Sequence, residues 1–374
     1  MTKRSKVLVA ISGGVDSAAA ACLLLEQGYD VVAAYLCLQR VSASTNHRAC
    51  CSPQDAADAR LIAERLEVPL VVMPVTHEFG WLTRWTAQQY AAGKTPNPCA
   101  ICNVKIKFRT LLEIAERVGA EHIATGHYAR ICRHDGFAAA AAPRIARPAN
   151  RVKDQSYVLF ALGEDVRRRL ILPLEDIATK QQVREIASRH ALPVAEKPES
   201  QDACFLGDGG VRELLQQHCP EGLREGPVVA EDGAELGRHT GYGCYTVGQR
   251  RGLGVAAGSR MYVSRIEPAT ATVVLGPPET LSVVRLRAID ALWHCPTSPR
   301  FAGQVQVRYN SPARPAQIER TADDEFLVHF DQPIESAAPG QAAVVYDEHD
   351  FLVGGGWIEN TFRPARTLDK KAPE

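Results

Sequence analysis

Apolar positions fall in short blocks along the first third of the chain. Val7 to Ile11 is an unbroken apolar run, Ser17 to Glu26 is rich in Ala and Leu, Val31 to Leu36 is apolar again, and Pro53 to Leu66 has helical spacing. Leu70 to Val75, a Trp/Tyr-containing helical stretch to about Ala91, a helix from about Lys105 to Val118 and a short strand from His122 to Thr125 continue the alternation. Strands that alternate with helices predict a parallel sheet covered on both faces, with ligands bound at the carboxyl ends of its strands. Phe137 to Pro148 is alanine-rich between arginines and reads as a loop. Lys180 to His190 reads as a helix leading into PVAEKPESQDACF, a linker or lid. After about Gly207, glycine-rich turns separate Val, Tyr and Thr runs at Tyr242 to Gln249, Met261 to Ile266, Thr272 to Leu275, Gly303 to Tyr309, Glu325 to Phe330 and Ala342 to Tyr346. These predict one or two small antiparallel barrels. The expected organisation is an α/β N-terminal domain over 1–206, a small central β-rich domain over 207–278 and a C-terminal β-barrel over 279–374.

Composition narrows the class. With 374 residues, 45% hydrophobic and 23% charged, the chain sits near the averages for folded domains, which excludes wholesale disorder and a disulfide-dense miniature. No run approaches the roughly 18 apolar residues of a membrane span, and the N-terminus reaches glycines and an aspartate before an export signal forms, so a cytoplasmic location is expected. An odd count of 11 cysteines, with Cys50/Cys51 and Cys99/Cys102 close together, suggests reduced thiols with a chemical task. Net charge is zero, yet residues 1–205 carry 26 Lys+Arg against 21 Asp+Glu. Only local clusters can therefore mark a polyanionic partner: Lys105/Lys107/Arg109, Arg144/Arg147/Arg151/Lys153, Arg167 to Arg169 and Gln249/Arg250/Arg251.

Val7 to Ser17 carries the most chemistry. An apolar strand runs into Ser12-Gly13-Gly14-Val15-Asp16-Ser17 and then a helix. Glycines let backbone approach a phosphate, serines add donors, and the helix N-terminus adds amides and a favourable dipole. Without the lysine of GxxxxGK[ST], and without GxGxxG, kinase-type transfer and hydride transfer lose support. Cys99 and Cys102 lie in TPNPCAICNVKIKF, at or near an expected helix N-terminus where the dipole lowers a thiol pKa. Redox chemistry, metal ligation and plain burial all remain open for this pair. Zinc would want a second such pair, and none is present. Cys204, in SQDACF, reads alone as a small buried residue.

SGGVDS resembles the pyrophosphate-binding loop of the AMP-forming, or PP-loop, ATPases. In order along the chain come CCSPQDAADAR, TPNPCAICN, ATGHYAR, KDQSY, SQDACF, VGQRRGLG, RYNSPA and GQAAVVYDEHDFLVGGGWI. Together they resemble the bacterial tRNA-specific 2-thiouridylases over about residues 5 to 358. The resemblance implies the adenine nucleotide alpha hydrolase-like fold and an enzyme that converts a tRNA wobble uridine to 2-thiouridine, using ATP and Mg2+. Ala10, Ile11, Ser12, Gly13, Gly14, Val15, Asp16 and Ser17 would bind ATP phosphates, with Leu36 and Gly126 at the adenine. Cys102 would be the nucleophile and Cys204 the persulfide carrier, with Cys102 ending in a Cys102–Cys204 disulfide or as the acceptor of a second intermediate. The resemblance also implies tRNA contacts by Asn97, Pro98, Cys99, His127, Lys153, Asp154, Gln155, Arg308, Tyr309 and Gln341. It implies a sulfur-donor protein such as a cysteine desulfurase or sulfur relay, and a monomer is expected. The family has Asp or Cys at position 99; here it is Cys99, so Cys99, Cys102 and Cys204 also form an alternative ligand set for a [4Fe-4S] cluster.

On the residues alone, Leu36 also reads as core packing, Gly126 as a turn, His127 as a satisfied histidine, and Arg308, Tyr309 and Gln341 as barrel residues. Two other functions compete: a PP-loop ligase using a nitrogen nucleophile, which needs no reactive cysteine, and a non-catalytic RNA-binding or iron-sulfur protein, which releases no pyrophosphate.

Overall fold

The structure, a computed structural model, describes residues 4–37, 53–133, 142–198, 206, 209–255, 259–335 and 337–364. Strands β1 (Lys6–Ala10), β2 (Asp30–Cys37), β3 (Leu70–Pro74), β4 (His122–Ala124) and, after two further strands, β7 (Leu170–Ile171) form a sheet in the order β3-β2-β1-β4-β7. All its pairings are parallel. Side chains alternate across β1, so Val7 and Val9 join one core and Leu8 another. The first core holds α1 (Val15–Glu26), α2 (Pro53–Arg65) and α7 (Lys180–Arg189) on one face. The second holds α5 (Phe108–Val118) on the other. A strand buried on both faces has no polar side to display, which explains the unbroken apolar run in the sequence.

Between β3 and β4 the chain makes α3 (Thr76–Ala91), then a short helix α4 (Pro98–Cys102) that passes through a π-helical turn, Asn103–Lys107, into α5. The helix therefore begins seven residues before the expected Lys105. Asn97 caps it by accepting from the Ala100 amide at 3.2 Å, and Pro98 takes the first helical position, where its missing N–H costs nothing. The region read as a loop also differs. Its described part includes β6 (Arg144–Ala146), which pairs antiparallel with β5 (Arg130–Cys132), because Ile145 is wholly buried between its arginines.

Beyond α6 (Glu164–Arg169) and α8 (Gly210–His218), the central region is one four-stranded sheet. Its strands β8 (Gly226–Ala230), β9 (Glu235–His239), β10 (Tyr262–Glu267) and β11 (Thr272–Gly276) run in the order β10-β11-β8-β9, with β11 and β8 parallel. The expected strand Tyr242 to Gln249 is instead a 3-10 turn, Tyr242–Cys244, and a loop. Gly241 and Gly248 sit at φ 146° and 87°, which breaks an extended run. The C-terminal region closes into one six-stranded barrel. Its strands are β12 (Ser282–Trp293), β13 (Arg300–Gln306), β14 (Arg314–Ala322), β15 (Glu325–Glu335), β16 (Ala342–Tyr346) and β17 (Leu352–Phe362).

Barrel and N-terminal region share a core. Along β16, Ala343 and Val345 point into the barrel, whereas Ala342, Val344 and Tyr346 pack with Phe108, Tyr157 and Phe160. A Cβ on Gly355 would lie 2.8 Å from the Phe160 ring, so the glycine run of β17 is the contact surface itself. Arginines buckle the same joint. Arg144 meets Asp347 at 2.7 Å, Arg151 meets Asp350 at 2.7 Å, and Arg147 pairs with buried Asp154 and lies over Tyr346. The three arginines of that basic cluster are spent on intramolecular partners, as is much of Arg167 to Arg169: Arg167 donates to the Leu162 carbonyl and Arg169 to that of Ala120.

Candidate active site

The phosphate loop sits where β1 ends. Gly14 occupies the N-cap of α1 in an extended conformation with no side-chain cap, so the first-turn amides are left for an anion. Gly13 turns the chain at φ 75°, and a Cβ there would meet the Asp55 carbonyl at 2.6 Å, so only glycine fits. Ser17 braces the loop from inside: its hydroxyl accepts from the Ser12 amide at 3.1 Å and donates to the Gly14 carbonyl at 2.9 Å. Ser12 is exposed, while Ile11, Val15 and Ser17 are buried and Ala10 closes the strand. Asp16 accepts from the Tyr128 hydroxyl at 2.6 Å and from the Lys180 ammonium at 2.7 Å. Gly126 follows β4 and lies against this turn, where a Cβ would come within 2.8 Å of backbone atoms of Asp16 and Ser17.

Two lysines here escape sequence reasoning. Lys180 opens α7 behind a Thr179/Gln182 capping box, and Lys197 bonds Asp55 at 2.7 Å, Asp58 at 2.5 Å and the Gly13 carbonyl at 3.0 Å. Burial opposes the Lys197 charge, but the hydrogen bonds and charges of Asp55 and Asp58 hold its pKa above the ordinary lysine value. A signal was present: Asp55 and Asp58 belong to the motif CCSPQDAADAR, whose purpose the sequence alone does not reveal.

The thiol end differs in character. Cys99 is exposed and Cys102 half-buried, one helical turn apart on α4, and both are thiols rather than disulfide halves. Cys102 borders an apolar cluster of Val75, Phe79, Leu82 and Ile106, which Leu36 at the end of β2 also borders. Burial pushes the Cys102 thiol up, opposed by the Lys107 charge and by a hydrogen bond to the Lys107 backbone. The lowered pKa expected from a helix N-terminus is therefore not realised at Cys102. The thiol sits at the last residue of α4 and the chain continues helically, so it gains no free helix N-terminus. Cys204 lies outside the described residues.

His127, half-buried, stacks on Phe108 with centroids 5.9 Å apart and bonds the Thr125 hydroxyl at 2.8 Å. Burial and the Lys107 charge keep its pKa well below the usual value, so the ring is a neutral hydrogen-bonding group at neutral pH. Gln155 exchanges bonds with the Tyr128 backbone at 2.8 and 3.0 Å, and Asp154 is enclosed by Arg147 and Ser156. Lys153 ends a 3-10 turn, its amide bonded to Asn150 at 3.2 Å. From the barrel, Arg308 and Tyr309 are exposed, and the Tyr309 ring lies 6.4 Å from that of Tyr157. Gln341 is committed to the protein: its amide donates to the carbonyls of Thr95 and Pro96 at 2.9 and 3.1 Å, and Tyr157 bonds the backbone of Ala342 at 3.1 Å. The structure thus brings Asn97, Pro98, Cys99, Cys102, Arg308, Tyr309 and Gln341 to one seam, while Asp154 and Gln155 brace the loops beside it.

Among the described residues no three His, Cys, Asp or Glu side chains gather as a metal site, and no helix is long and apolar enough to cross a membrane.

Residues 5–208 match the family described as the tRNA methyl transferase HUP domain, 212–277 the tRNA methyl transferase PRC-barrel domain, and 283–358 the aminomethyltransferase beta-barrel domain. The chain is 42% identical over 362 residues to the tRNA-specific 2-thiouridylase MnmA of Carboxydothermus hydrogenoformans, covering 95% of this chain and 98% of that one. It is 42% identical over 358 residues to the namesake of Chloroflexus aggregans, with the same coverage of 95% and 98%. Against that of Magnetococcus marinus it is 40% identical over 363 residues, covering 96% of this chain and all of the other. Such identity over nearly the whole length of both chains settles kinship, and the chain belongs to the MnmA family of tRNA-specific 2-thiouridylases.

Proposed function

We propose that this protein thiolates the wobble uridine of tRNA in the cytoplasm, at the expense of ATP. The observation that carries the reading is that the phosphate loop and Cys102 lie on one edge of the sheet. Leu36, expected at the adenine, borders the same apolar cluster as Cys102. In the reaction, the uridine 2-oxygen attacks the α-phosphorus of ATP and pyrophosphate leaves. The terminal sulfur of a Cys204 persulfide then attacks C2, and AMP departs with the oxygen. Finally the Cys102 thiolate attacks the Cys204 sulfur, which releases 2-thiouridine and leaves a Cys102–Cys204 disulfide to be reduced by an external dithiol. Adenylylation makes a poor leaving group a good one, and a persulfide is largely anionic near neutral pH.

Ala10 to Ser17, Leu36 and Gly126 are proposed to hold ATP. Because Asp16 is engaged by Lys180 and Asp55 and Asp58 by Lys197, a Mg2+ ion would ride on the triphosphate oxygens. Asn97, Pro98, Cys99, His127, Lys153, Arg308, Tyr309 and Gln341 are proposed to surround an unstacked anticodon base, with Tyr309 offering a ring for stacking. Asp154 and Gln155 would act by holding those loops. The proposed domains are 1–206, 207–278 and 279–374, working as a monomer with a sulfur-donor protein.

The test is anaerobic incubation with unmodified tRNA, ATP, Mg2+ and a sulfide or persulfide source, read by nucleoside mass spectrometry. Sulfur should replace oxygen on uridine, and Cys102→Ala and Cys204→Ala should abolish the exchange. Thiolation that requires added iron and Cys99 would replace the persulfide route with a [4Fe-4S] cluster on Cys99, Cys102 and Cys204. No thiolation and no pyrophosphate release would sink the reading.

A further inference from the structure

The residues flanking the phosphate loop pose an electrostatic problem. Asp55 and Asp58 are both buried to about nine-tenths, on the first two turns of α2, and the Asp55 backbone touches Gly13. Two carboxylates at the rim of a polyanion site would repel the ligand, and in a partly buried setting solvent screens that repulsion poorly.

Lys197 answers it. An ammonium has three N–H donors, and here each has an acceptor: Asp55 Oδ1 at 2.7 Å, Asp58 Oδ2 at 2.5 Å and the Gly13 carbonyl at 3.0 Å. None is left over for a phosphate oxygen. The third bond also has a directional effect. In a planar trans peptide the C=O and the following N–H point oppositely, so anchoring the Gly13 carbonyl on Lys197 aims the Gly14 N–H away from it.

We propose that Lys197 is a positioning residue for the nucleotide: it neutralises Asp55 and Asp58 and fixes the Gly13–Gly14 peptide so that the loop accepts a polyanion, without contacting phosphate itself. The inference rests on the ATP reading above and deepens it. It also gives Asp55, Asp58 and Lys197 a shared task, the holding of the Gly13–Gly14 turn.

The experiment measures binding of ATP, pyrophosphate and adenosine to the full-length protein by calorimetry, with thermal melting alongside. Lys197→Met should weaken ATP and pyrophosphate at least about tenfold while leaving adenosine nearly unchanged. Lys197→Met combined with Asp55→Asn and Asp58→Asn should recover the electrostatic part of the loss, because the charges that needed neutralising are gone, and should leave the part that comes from losing the Gly13 anchor. Lys197→Arg should retain part of the affinity and covers the case in which Lys197→Met alone does not fold. Unchanged ATP affinity in Lys197→Met overturns the proposal. A triple variant that recovers none of the loss overturns it too, because neutralisation of Asp55 and Asp58 would then contribute nothing. Wild-type protein that binds neither ATP nor pyrophosphate overturns the ATP reading and this inference together, which separates that failure from the other two.

Discussion

The two ends of the site are built on opposite principles. At the phosphate end the side chains around the loop are engaged while the first-turn amides stay open for the ligand: Ser17 braces Ser12 and Gly14, Lys180 and Tyr128 hold Asp16, and Lys197 holds Gly13. At the thiol end the principal group is a half-buried cysteine against an apolar cluster, its pKa raised by burial. The first arrangement costs no reorganisation when ligand arrives. The second keeps the thiol protonated, and so protects the proposed nucleophile from stray oxidation until a substrate or partner changes its surroundings. On this reading, ATP binding is set by rigid geometry, and sulfur transfer by a change at Cys102.

The largest expected effect separates the ends outright. Cys102→Ser should reduce 2-thiouridine formation by more than about a hundredfold, because serine is a far weaker nucleophile, while ATP affinity stays within about twofold. Parallel nucleoside analysis and ATP titration check this, and a joint loss would show that the ends are one unit. Next in size is damage to the rigid end. Gly126→Ala forces a Cβ to within 2.8 Å of the Asp16 and Ser17 backbone, contacts that no side-chain rotation relieves. Overpacking of this kind costs about 1–3 kcal/mol, so ATP affinity should fall roughly tenfold or more with a lower melting temperature. Undiminished ATP binding would mean that the loop is softer than its hydrogen bonds indicate.

These ends were not equally legible in the sequence. The phosphate loop announces itself because an apolar strand, paired glycines and a helix are contiguous, and β1, the loop and α1 appear where the pattern predicts. Lys180 and Lys197 were not legible, since each reaches the loop from more than 160 residues away, and a lone lysine in a linker looks solvated. On the thiol side Pro98 disguised the start of α4, and a π-helical turn disrupts the 3.6-residue period just where α5 should declare itself. The barrel was visible in β16, but β17 was not: Gly354 to Gly356 carry no side chains to show an apolar pattern, because Trp293, Phe160 and Ile289 press against them. Gln341 was assigned to RNA by resemblance, and only its contacts with Thr95 and Pro96 reveal a link from the barrel to the Cys99/Cys102 helix.

That link yields a finer test of the thiol end. Gln341→Ala leaves the Thr95 and Pro96 carbonyls without their side-chain donor, a loss worth about 1–3 kcal/mol if they stay buried. If Gln341 acts by registering α4, the single-turnover thiolation rate should fall about tenfold while tRNA affinity changes little. If affinity falls and the rate at saturation does not, Gln341 is an RNA contact. Gln341→Glu serves as a comparison, because it keeps the length but removes the donor when ionised.

The smallest effect probes why Cys102 is held back. Lys107 stabilises the thiolate, against a larger contribution from burial, and its charge also disfavours protonation of His127. In Lys107→Met the thiol pKa should therefore rise further, since the form that benefits from the positive charge is the anion. At pH 8, below the thiol pKa in both proteins, the thiolate fraction and hence iodoacetamide labelling of Cys102 should drop about two- to fivefold. The two rates should converge as pH climbs past both pKa values. Exposed Cys99, on the same helical turn, serves as an internal control whose labelling should change less. Peptide mass spectrometry between pH 7 and 10 gives both curves at once. Equal Cys102 rates throughout would mean that burial and the Lys107 backbone set this thiol without help from the Lys107 charge, and that activation must come from moving the apolar cluster rather than from that charge.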